Sequence, residues 1–194
     1  MAKGRSQLNK SLKFSLSIAV ITFVLAAIFS VISSAILSGV AWGLGILIVL
    51  IIVFLGVFFD TLGVAATAAI EKPFHAMASE RVFGAREAVL IVRNADRFAS
   101  FCNDVVGDIS GVISGTASAL VVLQLANVLG HGDGSAVQLT INVIMTSVVA
   151  ALTVGGKAIG KFLGIHYTTT IIILVGKTLA FLDSKFKIKL LKKK

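Results

Sequence analysis

The run from Phe14 to Leu37 contains no charged residue. At about 1.5 Å of helix rise per residue, such a run crosses a hydrocarbon core of about 30 Å. Its basic preface, Lys3, Arg5, Lys10 and Lys13, looks like the start of a secretion signal. The apolar stretch, however, is much longer than the roughly 7–15 residues of a cleaved signal core, so it reads as a retained helix. A second run extends from Val40 through Trp42 and Phe59 to Ile70, interrupted only by Asp60. It exceeds one bilayer thickness, so this helix must tilt, break or protrude. Composition agrees with a membrane class: the chain is 57% hydrophobic and 14% charged, against about a quarter charged in soluble domains. A single cysteine, Cys102, excludes a disulfide framework. His75, His131 and His166 are too dispersed in sequence to suggest a histidine-rich zinc centre.

Between Glu71 and Arg93 the composition becomes mixed in charge, with apolar residues at Phe74, Met77, Val82, Phe83, Leu90 and Ile91. This pattern predicts an amphipathic belt helix over about 71–93, lying at a membrane surface. Pro73 sits where a helix start tolerates it. Asn94 and Asp96 are capping candidates for a third span, about Arg97 to Leu129. The segment from Gly130 to Ser135 is a turn, with Ser135 a cap for a fourth span, about Ala136 to Gly156. Phe162 to Leu182 is apolar but contains Tyr167, Thr168, Thr169, Thr170 and Lys177.

Charge placement bears on whether that last stretch crosses. All 18 lysines and arginines fall in the N-terminal tail, in the surface segment and its flanks, or from Lys157 onward. The positive-inside rule then places both termini in the cytoplasm, with four spans, and makes Phe162 to Leu182 interfacial or re-entrant. The expected fold is all-α: a polytopic helical membrane protein with four transmembrane helices, an amphipathic belt helix and a C-terminal juxtamembrane helix. Its parts are a basic tail (1–13), an N-terminal span (14–37), a transmembrane domain (40–183) and a Lys-rich tail (184–194). The net charge of +9 is concentrated on the cytoplasmic side. Lys185, Lys187, Lys189, Lys192, Lys193 and Lys194 suit anionic lipid headgroups, and no nucleic-acid partner is expected.

Charges inside apolar spans are costly and usually functional. Asp60, ahead of Glu71, and Asp108, beyond Arg97, are each set back by about 16 Å of helix rise, near mid-bilayer. Asp104 and Asp108 are one turn apart on a shared helix face. With Asp60, Asn103 and Ser110 they form a set of hard oxygen donors of the kind that holds Mg²⁺, and Asp60 and Asp108, at one depth on neighbouring antiparallel helices, are expected to share a cation or a proton. Gly107, Gly111 and Gly115 recur every four residues, a smooth strip for helix packing. Gly155 to Lys161 resembles a phosphate loop, but Phe162 stands where the Mg²⁺-binding hydroxyl belongs, and the segment follows an apolar span. No arrangement of nucleophile, base and acid emerges, so no enzymatic activity is expected.

From about Phe58 to Leu182 the chain resembles the transmembrane domain of the cyclin-M and CorB/CorC magnesium transporters. The likeness rests on Phe58-Phe59-Asp60, the belt segment, Asn94-Ala95-Asp96-Arg97 leading into a polar third span, and Gly156-Lys157-Ala158-Ile159-Gly160-Lys161 after the fourth. The resemblance implies a homodimer in the cell membrane that carries Mg²⁺ through alternate opening, and it leaves Na⁺ coupling open. Asp60 falls at a family serine position. Asp108 and Ser110 fall near the family's asparagine-rich stretch, and Lys157 falls on its glutamate position. The family's regulatory nucleotide-sensing modules are absent from this sequence, and the span from Phe14 to Leu37 is additional.

Two readings stay open. In one, Asp60 and Asp108 replace neutral ligands and offset Lys157, leaving a modified cation path. In the other, Lys157 or Lys161 pairs with an internal acid in the place of the metal, leaving a membrane scaffold or regulatory partner.

Overall fold

The computed structural model describes residues 2–130 and 135–186, with the backbone alone at 2–11, 13 and 186. Among these residues every regular element is helical. Four segments are long and apolar enough to cross a membrane: Phe14–Ser38, Trp42–Ala68, Ala95–Val128 and Ala136–His166. The elements are α1 (Ala2–Ser38), α2 (Trp42–Ala68), α3 (Glu71–Ser79), α4 (Ala85–Arg93), α5 (Ala95–Ser100), a π-helical segment (Phe101–Gly107), α6 (Asp108–Val128), α7 (Ala136–His166) and α8 (Thr168–Phe186).

Several of these bounds differ from the sequence reading. The second apolar run forms one unbroken helix, α2. The expected belt helix is divided into α3 and α4 by a turn in which Arg81 has φ 59 and Gly84 has φ 83. The Val82 amide donates to the Met77 carbonyl at 2.9 Å and the Arg81 amide to Ala78 at 3.2 Å. This is the bonding pattern of a Schellman motif, which ends a helix with one left-handed residue. Here that residue is an arginine, so its Cβ meets a penalty that glycine would avoid. Asn94 does not cap α5 with its side chain; its Nδ2 donates back to the Leu90 carbonyl at 2.8 Å, closing α4. Ser135 does cap α7, its Oγ accepting from the Gln138 amide at 3.2 Å. The helix expected to end at Gly156 continues to His166, so the expected element at 162–182 is split at Tyr167.

Contacts sort the chain into two compact units, Met1–Gly56 with Val105–Val154, and Val57–Asp104 with Gly155–Lys194. In the first, Val105, Ile109 and Ile113 are buried against Ile18, Leu25, Ala26 and Ile52. Gln124 Nε2 donates to the Leu37 carbonyl at 2.7 Å and so satisfies an acceptor at the end of α1. Close helix approach rests on glycines of α2: a Cβ at Gly45 would lie 2.6 Å from Val121 Cγ2, and one at Gly56 would lie 2.9 Å from Ser110 Cβ. Much of α1 remains exposed, with Leu16, Phe23 and Val31 facing outward. A helix that is apolar all round suits a lipid environment.

In the second unit Phe74 is fully buried and shares a core with Ala65, Ala66, Ala88, Val89, Ile91 and Ile172. Burying such a ring is worth about 1.5–3 kcal/mol. The backbones of α4 and α8 touch where Gly84 faces Gly176 and Lys177. A polar clasp on the exposed side joins α3 to α4: His75 Nε2 lies 2.8 Å from Glu71 Oε1, and Arg93 Nε donates to the same oxygen. The His75 hydrogen bond, followed by that from Arg93, holds the Glu71 carboxyl below its ordinary value of 4.5. A depressed acid stabilises the fold above its unfolded pKa and loses that contribution as pH falls through the folded value. Melting temperature is therefore expected to fall on acidification below pH 4.5, with a shallower slope in Glu71→Gln. An unchanged slope in thermal melts would show that the clasp is energetically silent.

Candidate functional site

The residues around Asp60 belong to the second unit, and glycines bring them together. On α7, Gly156, Gly160 and Gly164 recur every four residues and face Val57, Thr61 and the Thr61–Ala65 backbone of α2. A Cβ at Gly156 would come within 2.8 Å of Val57 Cγ2, and one at Gly164 within 3.0 Å of the Thr61 carbonyl oxygen. Small residues at this spacing let two helices approach until their backbones nearly touch. The neighbours of two contact residues, Lys157 beside Gly156 and Asp60 beside Thr61, are thereby drawn together. Lys157 Nζ stands 3.8 Å from Asp60 Oδ1.

That distance is an ion pair without a short hydrogen bond, since charge-assisted N–H···O contacts run at about 2.7–2.9 Å. Asp60 is 6% exposed, and its Oδ2 is buried with no hydrogen-bond partner. One turn along the same face, Gly63 leaves room for the Asn103 side chain, whose Oδ1 is the atom nearest to a Cβ placed there. Asn103 Oδ1 is likewise buried without a hydrogen-bond partner. Asn103 stands in the π-helical segment, where the extra residue per turn changes the direction of side chains relative to an α-helix. Such segments are frequent at functional sites. The Asp60–Lys157 pair, and Asn103 one turn along α2 at Gly63, thus leave two buried acceptor oxygens without hydrogen-bond partners in the same unit.

The other sequence candidates are placed differently. Asp104 follows Asn103 in the π-helical segment but is exposed. Asp108 and Ser110 belong to the first unit. Asp108 is exposed, while Ser110 is buried against Gly56 and its Oγ donates to the Val106 carbonyl at 2.7 Å. Lys161 is exposed, so of the two lysines it is Lys157 that meets the acid. The strip predicted for close packing is open over part of its length: a Cβ at Gly111 or Gly115 would meet no atom within 4 Å among the described residues. Gly107 is buried, its carbonyl lying 3.5 Å from a Cβ built at Gly56. Lys185 is exposed, its Nζ 5.7 Å from the centre of the Phe181 ring. Lys187, Lys189, Lys192, Lys193 and Lys194 lie outside the described residues, as do His131 and Asp133.

The packing strip on α7 and the redirection of Asn103 are the features that the sequence reading missed. The first had a visible signal in the four-residue spacing of Gly156, Gly160 and Gly164. The second had no residue signal, because a π-helical segment shifts the phase of a helical pattern without a residue type that marks it. Among the described residues no three His, Cys, Asp or Glu side chains gather as a metal centre. Comparison with known proteins returned no matching family model, no matching curated protein and no matching solved structure.

Proposed function

We propose that this chain is a polytopic membrane protein of the cation-transporter class, with its ion-binding step at Asp60 and Asn103 and Lys157 as the resident countercharge. The observation that carries this reading is the pair of buried, unpartnered acceptor oxygens, Asp60 Oδ2 and Asn103 Oδ1. Buried acceptors left without donors are costly unless a donor or cation completes them. An ionisable group within a span is by default a functional group. The four apolar helices support residence in a bilayer, the distribution of basic residues supports cytoplasmic termini, and placement in the cell membrane follows from the resemblance alone. The homodimer implied by the resemblance belongs to this proposal, and Mg²⁺ is one of the ions whose transport is to be tested. The exposed Asp104 is a residue that a second copy would help to shelter.

Flux into proteoliposomes tests the reading, with Mg²⁺, Co²⁺, Mn²⁺ and Na⁺ supplied in turn. Wild-type protein is expected to pass at least one of these ions. Asp60→Asn is expected to slow that flux by about tenfold or more, since it removes the buried carboxylate charge at the proposed site. Absence of wild-type flux for all four ions would sink the transporter reading. It would leave the second one, a scaffold or regulatory partner in which Lys157 permanently replaces the metal. The 3.8 Å approach of Lys157 to Asp60 is the observation that favours this alternative.

A further inference from the structure

We infer that the Lys157 ammonium is a tethered occupant of the cation position, and that a monovalent cation binds by displacing it. The inference rests on the cation-site reading of Asp60 and adds the identity and charge of its competitor. A buried carboxylate requires a countercharge. Lys157 supplies one but leaves the coordination incomplete, at 3.8 Å from Oδ1 with Oδ2 and Asn103 Oδ1 unpartnered. A free hard cation has no stem and can draw in several oxygens at once, whereas an ammonium on a four-carbon chain is limited by its anchor.

Charge decides the class of ion. Exchanging one positive charge for another leaves the pocket neutral, whereas a divalent ion at the same carboxylate leaves an excess charge in a weakly polar surrounding, where such charges interact strongly. The two partners also differ in freedom. The Asp60 side chain is 9% exposed and the Lys157 side chain 24%, so the lysine is the member able to extend its head toward water while its stem stays packed. Binding therefore moves Lys157 outward and leaves Asp60 in place.

The purified chain in detergent micelles provides a direct readout, the rate at which an amine-reactive acetylating reagent modifies Lys157, followed by peptide mass spectrometry. NaCl is compared with choline chloride at equal ionic strength, MgCl₂ forms a third arm, and exposed Lys161 is the internal reference. Acetylation of Lys157 relative to Lys161 is expected to rise about fivefold or more with Na⁺ over choline, as the occupied state gains population. In Asn103→Ala this rise should be lost. Equal Lys157 rates in Na⁺ and choline would overturn the displacement, and a response confined to Mg²⁺ would overturn the monovalent assignment. Thermal melts give a second readout: Lys157→Gln should show a larger Na⁺-dependent shift than wild type, and an equal or smaller shift counts against a competing lysine. Since none of these measurements requires transport, a Na⁺ response without flux would remove the transporter reading and leave the displacement intact.

Discussion

Lys157→Met with Asp60 left in place is expected to lower stability by about 3 kcal/mol, because removing one partner of a buried pair strands the other charge. The mirror substitution, Asp60→Leu, should cost less. The aspartate side chain is 9% exposed and the lysine 24%, so a stranded ammonium can reach water along its stem and a stranded carboxylate cannot. The double variant, Asp60→Leu with Lys157→Met, should recover most of the loss, since apolar residues in place of a buried pair are often neutral or stabilising. Thermal or denaturant unfolding in micelles, arranged as a double-mutant cycle, gives the coupling directly. Additive losses in the double variant would mean that the 3.8 Å approach carries no energy. Losing stability in the single variants and regaining it in the double, while flux stays low in both variants that lack Asp60, would separate the structural role of the pair from its proposed role toward ions.

The second large effect is expected where α4 crosses α8. Gly84→Ala meets two independent penalties: a left-handed backbone with φ 83, and a Cβ directed at the Lys177 amide and 2.7 Å from the Gly176 carbonyl carbon. A left-handed non-glycine residue costs about 1–2 kcal/mol and overpacking a further 1–3 kcal/mol, so about 3 kcal/mol is expected in sum. Gly176→Ala carries the steric part alone, its Cβ directed at the Gly84 carbonyl oxygen and 3.0 Å from the Ala88 amide nitrogen, and should cost less than Gly84→Ala. Gly155→Ala is the control. Its Cβ would enter open space in the middle of α7, and replacing a mid-helix glycine by alanine gains about 0.5–1 kcal/mol. Melting temperatures in micelles should rank Gly84→Ala below Gly176→Ala, with Gly155→Ala at or above wild type. If Gly84→Ala and Gly155→Ala melted together, the close crossing of α4 and α8 would be refuted.

The all-helical class and the four long apolar helices were legible from runs such as Phe14 to Leu37, because hydrophobic length is a strong signal and one that neighbouring elements do little to change. Element boundaries were less legible. Where the belt segment breaks depends on Arg81 taking a left-handed conformation, a choice that arginine does not advertise as glycine would. The prolongation of α7 to His166 escaped notice because Gly155 and Gly156 look like a helix stop, yet glycine there serves close packing against Val57. Within the candidate site, Asp60 stood out as a charge inside an apolar run, whereas Lys157, expected just beyond the fourth span, was singled out by its place in the resemblance. Asn103 could be named as an oxygen donor, but nothing in its neighbours announced that it would face Gly63. The preference for Gly107, Gly111 and Gly115 as the packing strip shows the limit of spacing alone: Gly156, Gly160 and Gly164 have the same spacing, and it is there that successive close contacts occur.

The π-helical segment from Phe101 to Gly107 also bears on how such a chain can diverge. A π turn holds more residues than an α turn, so each one in a helix is in effect a retained insertion. Deleting a residue between Phe101 and Gly107 would restore a regular α-helix and shift the helical phase of the segment's residues by about 100°. Substitutions in the same stretch leave that phase unchanged. Among relatives of this chain, a one-residue difference in length here would therefore redirect Asn103 more thoroughly than several substitutions around it, and helix length across 101–107 becomes a marker of whether the site is retained.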